Sequence, residues 1–127
     1  MSLITFGSRA EADRATRRVR AMHGAVRGHL PESVGRYIVA VGRRTREIPG
    51  VELGVSSRAM IHLVNASKAN ARLNGRGSVT IEDVREMAPF VLRHRISVAD
   101  GMSVDTVLLD AMAGVPSAVP PPISPVS

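Results

Sequence analysis

Side chains able to do acid–base or ligand chemistry are sparse in this 127-residue sequence. The four histidines are His23, His29, His62 and His94, and cysteine is absent, which removes disulfides and thiolate metal sites. No histidine takes part in H-E-x-x-H or another metal-ligand spacing, so no metal site is expected. His23 and His29 are six residues apart, on different faces of any helix. His62 lies in a helical pattern, where a packed or solvent-facing histidine is the ordinary reading. Phosphate binding by a P-loop needs glycines that bring amides close, a lysine for the β- and γ-phosphates, and Ser/Thr for magnesium. The sequence has no G-x-x-x-x-G-K-[ST], no apolar strand ending in paired acids, and no G-x-S-x-G nucleophile elbow. Catalysis by this chain alone is not expected.

Arginine is the chemistry that remains. The net charge is +6, and its excess falls in residues 1–50, which hold ten Arg against four acids. Residues 51–127 hold seven basic and seven acidic side chains. A basic half suits nucleic acid, an acidic partner surface or a plain solvated helix face, and without a motif the last is the default. Arg58 falls at an expected helix start. Basic residues are not preferred there, so position alone reads as solvated, yet a guanidinium beside free first-turn amides is also a plausible phosphate partner. Arg93 and Arg95 follow another helix, where positive charge complements the dipole. The cluster Arg43, Arg44 and Arg46 faces either solvent or another domain.

These side chains must be positioned by helices. Hydrophobic residues make up 44% of the chain and aromatics only 2%, a mixture that suits helix packing better than a β-sandwich. Residues 1–7 read as a tail or cloning scar. Ser8 with Glu11 can cap a first helix to about Arg27, with Ala15, Val19, Met22 and Val26 on one face. Pro31 opens a second, with Val34, Tyr37, Ile38 and Val41 buried, stopped by Pro49-Gly50. Ser56 or Ser57 caps a third that carries Met60, Ile61, Val64, Ser67 and Ala71 and exits at Asn74-Gly75. Thr80 caps a fourth, with Val84, Met87, Ala88, Val91 and Leu92 inward and Pro89 expected to kink or divide it. A fifth spans Ser103 to Ala113. Strand patterning is weak, limited to brief bridges at Val51-Glu52-Leu53 or Ser78-Val79. The fold class is therefore all-α, a small bundle of four to five helices over residues 8–113. Residues 114–127 form a Pro-rich tail expected to be disordered, holding five of the eight prolines. No apolar run approaches the roughly 18–20 residues that span a bilayer, and no signal-peptide core is present, so a cytoplasmic, non-membrane protein is expected.

The middle of the chain also carries a set of blocks in a distinctive order. They are Tyr37-Ile-Val-Ala-Val41, Thr45-Arg-Glu47, Pro49-Gly-Val-Glu-Leu-Gly54, Ser56-Ser-Arg-Ala59, Ala71-Arg-Leu-Asn-Gly75, Val79-Thr-Ile-Glu-Asp-Val84 and Ala88-Pro-Phe-Val-Leu-Arg-His-Arg95. Together they resemble the helical lid of the MoxR family of AAA ATPases, well over residues 31–96 and more loosely to Pro116. The resemblance implies that the complete protein has an N-terminal nucleotide-binding domain, binds ATP with magnesium, hydrolyses it, and forms a homo-oligomeric ring. This chain alone would bind neither. It also implies that Arg58 is a sensor-2 arginine reaching the γ-phosphate, and that Arg93 and Arg95 are available for contacts with a neighbouring subunit or domain. Many relatives have Pro where this chain has Ser57, a change that leaves the cap intact. MoxR relatives are associated with chaperone-like remodelling and maturation of protein complexes. The competing reading is a small basic nucleic-acid-binding module, because the run from Ser56 to Arg95 is also similar to a histone-like bundle. Against it stand the scarcity of stacking aromatics and a charge excess lying outside that run.

Overall fold

The computed structural model describes residues 28–116, and the expected first helix and most of the proline-rich tail lie outside them. Pro31, with φ −59°, brings the chain into α1 (Glu32–Glu47), and its carbonyl accepts from the amides of Val34 and Gly35. Glu32 in the first turn and Arg44 and Arg46 in the last complement the helix dipole. Gly50 then turns the chain at φ +92°, a region costly for any side chain. Helix α2 (Ser57–Leu73) begins at Ser56, whose hydroxyl accepts from Ala59 N at 3.1 Å. Helix α3 (Ile81–Leu92) begins at Thr80, and α4 (Val104–Ala113) at Ser103, whose hydroxyl accepts from Thr106 N. Each such cap stabilises its helix by about 1 kcal/mol.

The expected inward stripe of α1, Val34, Tyr37, Ile38 and Val41, is buried as written, with Val39 added. In α2 the burial is rotated slightly. Ala59, Met60, Leu63, Val64 and Ala71 face the core, and Ile61 is only half-buried. Val84, Ala88 and Leu92 of α3 meet them, while Met87 and Val91 pack at the edge. Leu108, Ala111 and Met112 of α4 close the far side against α1. The core is aliphatic, as the composition requires, with Tyr37 its one large aromatic among the described residues. Tyr37 is fully buried, and its hydroxyl accepts from Arg85 Nε at 3.3 Å.

Two expectations change and a third is extended. Pro89 does not divide the fourth predicted helix: α3 runs unbroken through it, because the proline lies in the last turn, where one missing amide costs little continuity. The tail does not begin at residue 114, since Val115 is buried in the core cluster. Finally, the bridge at Val51–Leu53 is β1, paired antiparallel with β2 (Ser97–Val98) in an irregular register. Strand patterning missed β2 because two residues are too few to show an alternation. The other expected bridge, at Ser78, pairs in parallel with His29. Among the described residues, no helix is long and apolar enough to cross a membrane.

Candidate functional site

Helices α2 and α3 form an antiparallel hairpin, and its construction fixes where the exposed arginines lie. At the turn, Gly75 (φ +76°) donates to the Arg72 carbonyl at 3.0 Å and Arg76 N donates to the Ala71 carbonyl at 2.9 Å. This is a Schellman exit that satisfies the last carbonyls of α2. The chain then enters α3 through a reciprocal capping box between Thr80 and Asp83. The Asp83 carboxylate is buried and collects four donors besides the cap's outward bond. Thr80 N donates at 2.8 Å, Thr80 Oγ1 at 3.0 Å and Asn70 Nδ2 at 2.9 Å, and Arg76 forms an ion pair with it. Burial alone would push its pKa up, but the bonds from Thr80 and Asn70 and the charge of Arg76 outweigh that and hold it below the ordinary value.

The opposite end of the hairpin, where α2 begins and α3 finishes, carries the candidate site. The connector into α2 is held by α1. Buried Thr45 donates its hydroxyl proton to the Gly42 carbonyl at 2.6 Å and accepts from Val55 N at 3.1 Å. Arg46 Nη2 donates to the Val55 carbonyl at 2.8 Å. With both polar groups of Val55 taken, Ser56 is placed to cap α2, and Arg58 stands at its second position. The Arg58 side chain is exposed and makes no hydrogen bond or ion pair among the described residues. The cap uses the amide of Ala59, which leaves the earlier amides of Ser57 and Arg58 beside that guanidinium.

One helical turn along the same face is His62, exposed and bordering an open groove of about 530 Å³ with Phe90, Val91, His94 and Arg95. The expected pair Arg93 and Arg95 is thereby split. Arg93 Nε bonds Asp105 at 3.1 Å and ties the end of α3 to α4, whereas Arg95 joins the groove. Within the other cluster, Arg44 lies 3.7 Å from Asp110 and Arg46 clasps Val55, so both act inside the domain. Sequence reasoning singled out neither the Asp83 cluster nor Phe90 as a surface feature. Phe90 had a readable signal: it falls two residues off the Val84–Ala88–Leu92 stripe, so a helix there must turn it outward, and it is 71% exposed. Among the described residues, no group of three or more His, Asp or Glu is arranged to hold a metal.

The AAA lid domain family matches residues 43–110, more than half the chain. This chain is an AAA lid domain. The matched span runs from the end of α1 to α4 and contains both the Asp83 cluster and the exposed end with Arg58 and the groove. The lid is also similar to an uncharacterized protein, YeaC, of Bacillus subtilis (strain 168), with 35% identity over 89 residues. That alignment covers 66% of this chain but only 28% of YeaC, so the lid spans little more than a quarter of that relative's length. No solved structure matches it.

Proposed function

We propose that this lid is the C-terminal helical domain of a MoxR-type AAA ATPase and that Arg58 is its sensor-2 arginine. The observation that carries the reading is the state of Arg58: an exposed guanidinium with no partner among the described residues, beside two first-turn amides that the cap leaves unused. That set of donors fits an anionic phosphate oxygen. No carboxylate lines the adjoining groove, so magnesium ligands would come from the nucleotide-binding domain of the complete protein. A γ-phosphate held by Arg58 would favour a closed lid, and its loss on hydrolysis would release that bias. In a ring of such subunits this coupling would drive chaperone-like remodelling or maturation of partner complexes.

The test is Arg58→Ala in the complete protein. Because the side chain is exposed and has no partner among the described residues, helicity and the unfolding midpoint of the lid should stay as they are. ATP turnover should fall by about tenfold or more, the scale of removing one preorganised charged donor. Unchanged hydrolysis kinetics would remove the sensor assignment.

A further inference from the structure

We propose that the groove between α2 and the end of α3 docks an acidic segment of a partner protein, one that offers an apolar side chain flanked by carboxylates. The proposal starts from Phe90. It is 71% exposed on an otherwise regular helix, and with Val91 it forms an apolar floor. The rest of the lining is His62, His94 and Arg95, with no acidic side chain. None of those three makes a side-chain hydrogen bond or ion pair among the described residues. Four arginines on other faces are matched, Arg93 by Asp105, Arg44 by Asp110, Arg36 by Glu32 and Arg85 by Glu82, whereas Arg43, Arg58 and Arg72 share with Arg95 the lack of an ion pair among the described residues. Donors left unmatched around an exposed aromatic complement a carboxylate-bearing chain with one apolar residue to bury.

Nucleic acid fits the same donors less well. The groove has one fixed cation in Arg95, too few for the multiple phosphate contacts that sustain binding at physiological salt. A second copy of the lid is a weaker occupant as well, because an isologous contact pairs one groove with another, and neither offers a carboxylate to the other's Arg95.

The experiment is fluorescence anisotropy of the complete protein, and of the 127-residue chain beside it, with fluorescein-labelled peptides at physiological salt. Binding to the short chain alone would overturn the proposal, because another domain would then cover the groove. The probes are Glu-Glu-Leu-Phe-Glu-Glu, its lysine counterpart Lys-Lys-Leu-Phe-Lys-Lys, hexaglutamate and an oligo-dT strand. The expected result is saturable binding of the first peptide alone. Phe90→Ala should weaken it about tenfold, the scale of losing one buried aromatic contact. Arg95→Glu should weaken it at least about threefold. Leu73→Ala, an exposed apolar position at the other end of the hairpin, should leave it unchanged. Equal binding of hexaglutamate, tighter binding of oligo-dT, or affinity indifferent to both groove substitutions would overturn the proposal. So would sedimentation showing a lid dimer that Phe90→Ala abolishes, since the occupant would then be a second copy.

Discussion

Asp83 is the residue on which the hairpin turns. A buried carboxylate is costly unless every lone pair is used, and here Thr80, Asn70 and Arg76 together use them. Because its pKa is lower folded than unfolded, the unfolded chain takes up the proton first as pH falls. Its contribution is therefore fully present above the ordinary aspartate value of 3.8 and is lost as pH drops through the depressed one. Asp83→Asn should cost about 2–3 kcal/mol at neutral pH and flatten the acid limb of a stability–pH curve below pH 4, measured by urea unfolding. An acid limb identical to the wild type would show that other carboxylates carry it. The sequence placed Asp83 in a helix first turn from the Thr80 spacing. It could not show Asn70 and Arg76 converging on the same carboxylate, because that depends on how the turn at Gly75 folds back.

At the scale of elements, the seam between α1 and the connector combines hydrogen bonds with the burial of Val55. Thr45 is wholly buried and serves as donor to Gly42 and acceptor from Val55 at once. Thr45→Val keeps the shape but strands the Val55 amide, so it should destabilise by about 1–3 kcal/mol, whereas Thr45→Ser should cost less than about 1.5 kcal/mol. Equal losses for the two would mean that packing, not the hydroxyl, holds the seam. Helix starts were the most legible part of the fold, since Ser56, Thr80 and Ser103 act as caps by local chemistry that spacing reveals. The α1 stripe was legible for the same reason. The pairing of β1 with β2 depends on contacts between distant segments, and periodicity carries little information about those. Exposure of Arg58 agreed with its place in a first turn, but a phosphate contact is not something that spacing within this chain can show.

Across the whole molecule, α4 is attached to the remainder by apolar packing overlaid with two surface ion pairs, Arg44–Asp110 and Arg93–Asp105. All four side chains are substantially solvated, so each pair should contribute less than about 1 kcal/mol. Asp105→Asn combined with Asp110→Asn should barely move the urea midpoint at moderate salt. A loss of several kcal/mol would make α4 an electrostatic attachment and not a hydrophobic one. The positions of β1 and β2 have a mechanical consequence for the same assembly. One strand immediately precedes the α2–α3 hairpin and the other immediately follows it, and the two are stitched together. Everything from residue 54 to residue 96 is thus closed into a loop at the strand pair, and the His29–Ser78 bridge holds its far turn as well. Separating this segment from α1 therefore requires breaking both attachments as well as the core between them.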